Sequence, residues 1–387
     1  MSAKFCIGND NKMCTVAISA NTSWYIYNFR KNTIRALINE GYRVVAISPY
    51  DEYSKKIEGL GAEFINVHID QGGTNPIKDI KTLLSFRTIY SRGDIDVVLN
   101  FTPKNNIYST VASLGYQIKV INSVAGLGSL FINGGVKCRI ARLLYGFSQK
   151  FAHKVFFQND DDRSLFVDSK FVSVEKTERL PGSGVDLSRF VLTEAPDDSI
   201  VRFILVARML YEKGVVHYVE AAKKLKDIYG NKVEFKLLGF LDVNNPSAIT
   251  TFEMEKWVAE GAVNYLGISD QVEDEIAKVD CVVLPSYYRE GVPKSLLEAG
   301  AMGKPIITTD NIGCRETVDD GINGFLCKPQ STDSLFNALK KIISMSHEER
   351  INMGQRSRKK IEIEFDERII IDRYISTIET LSLKKSG

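Results

Sequence analysis

At 387 residues, with 44% hydrophobic and 25% charged side chains, the chain has the length for two or three domains and the composition of a soluble globular protein. A formal net charge of +2 excludes the polyelectrolyte character of a general nucleic-acid binder. Six scattered cysteines (Cys6, Cys14, Cys138, Cys281, Cys314, Cys327) with no C-x-x-C pair read as reduced thiols of a cytosolic protein, not as disulfides or a zinc site. The opening MSAKFCIGNDNKM lacks the apolar core of a signal peptide and no run is long enough to span a bilayer, so any membrane association is expected to be peripheral.

In chain order, a polar stretch over 1–12 precedes an apolar strand at 14–20, a loop Asn21-Thr22-Ser23-Trp24-Tyr25 and a helix to about residue 40. Strands follow at 43–48, 63–67, 95–100 and 119–122, with helices at 77–90 and 105–114. Strands alternating with helices predict a doubly wound parallel sheet. The segment Val124-Ala125-Gly126-Leu127-Gly128, with Asn133-Gly134-Gly135 after it, is not a dinucleotide fingerprint. It is open to reading as a substrate loop or as a plain turn.

Residues 137–154 read as one helix with five cations (Lys137, Arg139, Arg142, Lys150, Lys154) and no acid. Ile140, Leu143, Leu144, Phe147 and Phe151 recur along it at helical spacing. Such a helix suits an anionic bilayer surface; a core-facing stripe with a solvated basic back is the other reading. A strand at 155–158 leads to Asn159-Asp160-Asp161-Asp162, where D-x-D reads as a helix cap and first turn, not a metal site. Pro181, Gly182 and Gly184 mark a domain boundary, and the acidic stretch 193–199 completes a linker.

The second half opens with a strand at 202–207 and the loop Arg208-Met209-Leu210-Tyr211-Glu212-Lys213-Gly214. Two cations in the first strand-to-helix loop of a parallel sheet can hold a diphosphate, although a solvated turn has the same composition. After a strand at 280–284 comes PSYYREGVPKSLLEAGAMGKP, a loop–helix unit ending at the strand 306–308. Glu290 in the loop and Glu298 in the helix can face one crevice. The N–H groups of Gly291, Val292 and Lys294 precede the helical ladder and favour an anion. Sugar hydroxyls fit the two carboxylates better than a phosphate does; acids complementing a helix dipole are the alternative. Helices at 332–345 and 346–381 close the chain, with Phe365-Asp366 able to kink the second.

Glu290, Gly291, Pro293, Leu297, Glu298, Ala299, Ala301, Gly303 and Pro305 spell E-G-x-P-x-x-x-L-E-A-x-A-x-G-x-P. This closely resembles the E-x7-E signature of retaining GT-B glycosyltransferases of family 4, and the resemblance covers nearly the whole chain. It implies an α/β protein of two Rossmann-like doubly wound parallel-sheet domains facing across a cleft. An acceptor-binding domain is expected over 1–184, a nucleotide-sugar-binding domain over 185–363, and a helix over 364–387 that crosses back to the first domain. It implies a hexosyltransferase working from a UDP-sugar, without a metal or other cofactor. Arg208 and Lys213 would lie on the donor diphosphate, matching G-R-L-x-x-E-K-G with Ala207 in place of the Gly. Glu290 would orient the sugar and Glu298 the ribose. Gly291, Val292, Pro293 and Lys294 would line the phosphate, Leu266 and Gly267 the base, and Gly313 and Arg315 the sugar.

The N-terminal half departs from the usual pattern. Asn21-Thr22 stand where many members carry Gly-Gly, and Asn122-Ser123 where many carry a His. A neutral Asn can bind a sugar hydroxyl but cannot act as a base near neutral pH. With Gly126 and Gly128, these are the acceptor-side candidates. The pattern is similar to a bacterial subgroup that builds O-antigen, capsule and exopolysaccharide on diphospho-undecaprenol-linked saccharides at the inner leaflet of the cytoplasmic membrane. No nucleic-acid partner is implied. A nucleotide-sugar 2-epimerase of the same fold, or an inactive sugar-binding scaffold, remains the alternative; the four charged residues Arg208, Lys213, Glu290 and Glu298 argue against both.

Overall fold

The computed structural model describes residues 13–70, 75–127, 136–243 and 245–383. The chain forms two compact units, one of Met1–Leu180 with Arg368–Gly387 and one of Pro181–Glu367.

In the first unit, strands β1 (Thr15–Ser19), β2 (Arg43–Ser48), β3 (Glu63–Asn66), β4 (Val97–Phe101), β5 (Lys119–Val124), β6 (Lys154–Phe157) and β7 (Thr177–Arg179) form one sheet in the order β3-β2-β1-β4-β5-β6-β7. Every pairing is parallel. Helices α1 (Ser23–Asn39), α2 (Ser54–Glu58), α3 (Pro76–Tyr90), α4 (Thr110–Ala112), α5 (Val136–Ser148) and α6 (Asp160–Asp168) connect the strands. Side chains alternate faces along each strand. Val16, Ile18, Val97 and Leu99 pack on one side with Ile26, Ile34 and Leu37 of α1. Ala17, Val45, Ile47 and Val98 pack on the other with Phe86, Ile89 and Tyr90 of α3.

The helix expected over 105–114 is wound as a π-turn over Asn105–Ser109 before α4. The Asn106 carbonyl explains this. It accepts from Thr110 Oγ1 (2.8 Å), Gln149 Nε2 (3.1 Å) and Asn122 Nδ2 (3.3 Å), and side-chain donors on a carbonyl compete with the backbone ladder.

The second unit carries β8 (Val201–Val206), β9 (Val233–Leu238), β10 (Asn264–Tyr265), β11 (Cys281–Leu284), β12 (Ile306–Thr309) and β13 (Gly324–Cys327). They form a parallel sheet in the order β10-β9-β8-β11-β12-β13. Its helices are α7 (Val215–Tyr229), α8 (Thr251–Ala259), α9 (Val272–Ala277), α10 (Lys294–Ala301), α11 (Thr332–Ser344) and α12 (His347–Glu364). The sequence-predicted helix 346–381 is broken at Phe365-Asp366, where Val185 N–H donates to the Phe365 carbonyl (2.9 Å) and Glu367 N–H to the Val185 carbonyl (3.1 Å). The last helix, α13 (Glu367–Leu383), sends Ile370, Tyr374 and Ile378 into the core around β1 and β4. Arg30, 1% exposed, lies 4.1 Å from the Phe101 ring centre, and Tyr374 Oη donates to Ser123 Oγ (3.2 Å). Among the described residues no helix is long and apolar enough to cross a membrane.

A buried lysine sits at the amino end of the second sheet. Lys304 is 1% exposed and donates to the Ala277 carbonyl (3.2 Å). Burial lowers its ammonium from 10.5 to about 8, against the pull of Asp280 and Glu194. Between those values the unfolded chain holds more protons, so Lys304 adds stability as pH rises through this window. The expected result for Lys304→Met is loss of that slope. Variant-minus-wild-type stability from urea titrations should fall by about 2–3 kcal/mol from pH 8 to pH 10.5. The buried thiols, present in both proteins, cancel from the difference. A constant difference across the window would show that Lys304 is charged in both states.

Candidate active site

In the second unit β8 lies between β9 and β11, so the strand order reverses at β8/β11. Ligands of open α/β sheets bind at the carboxyl ends of strands at such a switch point. Two loops leave there: 207–214 after β8 and 285–293 after β11. The Glu212 carbonyl joins them, accepting from Tyr287 N–H (2.9 Å), Tyr288 N–H (3.2 Å) and Ser286 Oγ (3.1 Å). Gly214 (φ +77°) allows the approach, because a Cβ there would stand 2.2 Å from the Pro285 carbonyl oxygen. Gly313 (φ +83°) seats the β12 loop on the same ridge, where a Cβ would stand 1.7 Å from the Gly291 carbonyl oxygen. Asn311 Nδ2 donates to the Tyr288 carbonyl (2.8 Å).

This frame brings together two sequence-predicted residues. Lys213 Nζ and Glu290 Oε1 form an ion pair with both side chains largely buried. Ser286 Oγ lies 2.8 Å from the same Glu290 oxygen, and Tyr288 places its ring centre 5.4 Å from Lys213 Nζ. Arg208, in the same loop as Lys213, is exposed, and its guanidinium pairs with no described residue. A bound pair and a cation facing solvent at a switch point can receive an anion.

Glu298 is half-buried on α10; burial raises its carboxyl above the usual range, against the charges of Lys294 and Arg189. Arg189 itself forks onto Glu273 (2.8 and 2.7 Å). Pro293 stands at the N-cap of α10. Gly291 and Val292 are buried. Leu266 N–H donates to the Leu237 carbonyl and Gly239 N–H to the Gly267 carbonyl, each at 2.8 Å, so those two groups are already committed to closing the end of β10. The Leu266 side chain is 37% exposed. Arg315 is turned to Asp310 (3.2 Å).

The acceptor-side candidates fare differently. Asn122 is fully buried. Its amide donates to Thr110 (3.0 Å), Gln149 (2.8 Å) and the Asn106 carbonyl (3.3 Å), and its oxygen accepts from Asn100 (2.9 Å). Ser123 is 4% exposed and accepts from Tyr374. Both are therefore corrected to core residues, because their polar groups are satisfied by the strand and helix residues packed around them. Thr22 Oγ1 accepts from Tyr25 N–H (3.0 Å) as the N-cap of α1, beside half-buried Asn21. Gly126 takes φ +91°; Gly128 lies outside the described residues.

Of the five basic candidates, Arg139, Arg142 and Lys150 are exposed on α5 and the 3₁₀ turn after it. The helix expected to reach residue 154 ends at Ser148, and Lys154 instead opens β6 and pairs with Glu178 (2.8 Å). The pairing of β6 with β5, Ile121 opposite Lys154, imposes the change. The backbone of Lys137 lies in α5; its side chain is outside the described residues. Asp160 and Asp162 lie in the first turn of α6, where Asp162 N–H donates to Asn159 Oδ1 (2.7 Å), so the D-x-D is a capped helix start.

Two features escaped the sequence reading. Ser286, buried beneath Glu290, carries no signal beyond its place in the loop. Thr102 takes φ +95° at the carboxyl end of β4, the switch point of the first sheet. A β-branched residue there is strained, and such strain clusters at functional sites. A residue that precedes a proline, as Thr102 precedes Pro103, ordinarily keeps a negative φ, which deepens the departure.

The match to "Glycosyl transferases group 1" covers residues 188–360 and includes both loops of the site. The match to "Glycosyl transferase 4-like" covers residues 15–159. The chain belongs to the family-4 glycosyltransferases of GT-B fold. It is 29% identical to the N,N'-diacetylbacillosaminyl-diphospho-undecaprenol alpha-1,3-N-acetylgalactosaminyltransferase of Campylobacter jejuni, over 90% of this chain and 94% of that one. It is 26% identical to the UDP-Gal:alpha-D-GlcNAc-diphosphoundecaprenol alpha-1,3-galactosyltransferase of Escherichia coli, over 69% of this chain and 71% of that one. Among solved structures, Anabaena HepE in complex with UDP-glucose superposes with a TM-score of 0.75 at 16% identity, over 95% of this chain and 99% of that one. That last likeness is one of fold. The family-4 enzymes transfer sugars, and the expectations of glycosyltransferase class, GT-B fold and bacterial polysaccharide synthesis stand on these matches.

Proposed function

We propose that the protein is a retaining glycosyltransferase that moves a hexose or N-acetylhexosamine from a UDP-sugar to a sugar hydroxyl on a diphospho-undecaprenol-linked acceptor. The observation that carries this reading is the Lys213–Glu290 pair at the β8/β11 switch point, with exposed Arg208 in the same loop as Lys213. The diphospho-undecaprenol in the names of the Campylobacter jejuni and Escherichia coli relatives supports the acceptor class, and UDP-Gal in the second supports the donor. In this reading the second unit binds donor, the first binds acceptor, and the product enters O-antigen, capsule or exopolysaccharide. The enzyme works at the cytoplasmic face of the membrane, held peripherally through α5.

The difficult step is departure of the nucleoside diphosphate. Arg208 and Lys213 meet its charge, and the start of α10 adds its dipole. These groups take the place a metal ion holds in other transferases. As the diphosphate draws Lys213 away, the Glu290 carboxylate is released to accept hydrogen bonds from the donor sugar, steadied by Ser286. Glu298 holds the ribose hydroxyls. Attack comes from the face the diphosphate leaves, and the leaving phosphate oxygen takes the acceptor proton, so no protein base is required.

The test is UDP release from a panel of UDP-sugars, with and without diphospho-undecaprenol-linked saccharides extracted from bacterial membranes. The expected outcome is release from one donor that depends on the extract and is lost in Arg208→Ala. Release without acceptor would indicate a hydrolase, conversion of one UDP-sugar into another without release would indicate the epimerase, and neither release nor conversion with any UDP-sugar would refute the donor assignment.

A further inference from the structure

Helix α5 leaves an apolar ridge uncovered. Ile140 is 51% exposed, Leu143 72%, Phe147 51% and Phe151 38%. The rings of Phe147 and Phe151 meet edge to face at 5.2 Å. The inward side of the helix is filled separately by Tyr145, which packs on Phe166. Soluble surfaces rarely leave such a row without a partner.

The ridge ends beside a pocket of about 480 Å3 between the turn Gln149–Phe151 and the segment 167–176. Lys150, Lys170 and Lys176 line it, together with Phe171, Val174 and a single acid, Glu175. Lys176 Nζ donates to the Lys150 carbonyl (3.1 Å), which ties the two walls together. Among the described residues no carboxylate forms an ion pair with any of the three lysines. The Glu175 carboxyl is lowered first by its hydrogen bond from Ser173 and last by Lys176. Positive charge is felt nearby as well: burial, then Lys119 and Lys176, hold the His153 imidazole below its ordinary value.

Three cations around one pocket, at the foot of an apolar ridge that also carries Arg139 and Arg142, match an interface where anionic headgroups lie above acyl chains. A protein partner would have to supply acids beside a continuous apolar strip; a bilayer supplies both layers at once. We propose that the Lys150–Lys170–Lys176 pocket binds the phosphate of an anionic phospholipid headgroup while the α5 ridge enters the acyl boundary. The inference rests on the peripheral-membrane reading above and adds a headgroup site to it.

The experiment is co-sedimentation of the full chain with vesicles of phosphatidylcholine, alone or mixed with phosphatidylglycerol. No donor or acceptor is needed, so the result is independent of transfer activity. The triple variant Lys150→Gln, Lys170→Gln, Lys176→Gln should bind the mixed vesicles on the order of 100-fold more weakly, at about tenfold for every 1.4 kcal/mol and about 1 kcal/mol per cation. Its binding to phosphatidylcholine should be unchanged. A control of equal charge, Lys55→Gln, Lys81→Gln, Lys340→Gln, should bind like wild type. Leu143→Ser with Phe147→Ser should weaken binding to both vesicles. Equal losses in the two triple variants, or none in the pocket variant, would overturn the site and leave membrane attachment standing. Failure of wild type to bind either vesicle would overturn both. Dihexanoyl-phosphatidylglycerol should shift the amide resonances of residues 149–151 and 170–176; equal shifts from inorganic phosphate alone would make the pocket a free-anion site and refute the lipid.

Discussion

Glu290→Gln lowers sugar transfer by about a thousandfold, on the order of 4 kcal/mol of transition-state stabilisation, while UDP still binds. The carboxylate is 9% exposed and carries two contacts on one oxygen, from Lys213 and from Ser286 at 2.8 Å. Gln keeps an oxygen for Ser286 but removes the charge. Lys213 is then without its counter-ion in the empty site, and a diphosphate becomes its natural partner. UDP affinity should therefore hold or rise, whereas the charge-assisted hydrogen bond to the donor sugar is lost. Calorimetry with UDP and turnover with the cognate UDP-sugar separate the two effects. Wild-type turnover would remove Glu290 from the chemistry. Loss of UDP binding along with turnover would make it a structural strut of the pocket.

The second large effect is on stability. Asp280 is 1% exposed and joins three elements of the second unit. One oxygen accepts from the Arg202 N–H (2.8 Å), where β8 begins, and the other from Arg350 Nε (3.0 Å) on α12. Arg350 also donates to the Met345 carbonyl at the end of α11 (2.7 Å). Breaking a buried pair by removing one partner leaves an uncompensated charge, so Asp280→Asn should cost about 3–5 kcal/mol by urea denaturation. Adding Arg350→Met removes the stranded guanidinium, and the double variant should be more stable than the Asp280→Asn single. If the two losses simply add, the ion pair is not coupled and the cost lies in the β8 contact alone.

Much of the site was legible along the chain because its chemistry is local. The loop 285–293 announces its own turn through Gly291 and Pro293, and the helix after it through Leu296, Leu297 and Ala301. Two cations after one strand and two acids after another follow from the sequence. Their meeting does not: Lys213 and Glu290 are 77 residues apart, and only the order β9-β8-β11 puts their loops side by side. Asn122 shows the converse. It stands at the end of a strand, as a ligand residue should, yet the π-turn and Gln149 enclose it in a closed amide network.

Alternation of apolar strands with helices determined the class of fold, and residue types determined which loops hold charge. Those signals are written within about ten residues and need nothing else. The tertiary structure decided which loops meet, which polar groups are satisfied in the core, and that the α5 ridge of Leu143 and Phe147 faces outward. Helical period defines an apolar face but not what covers it. Whether such a face is buried depends on which strands and helices, distant in sequence, arrive to pack against it.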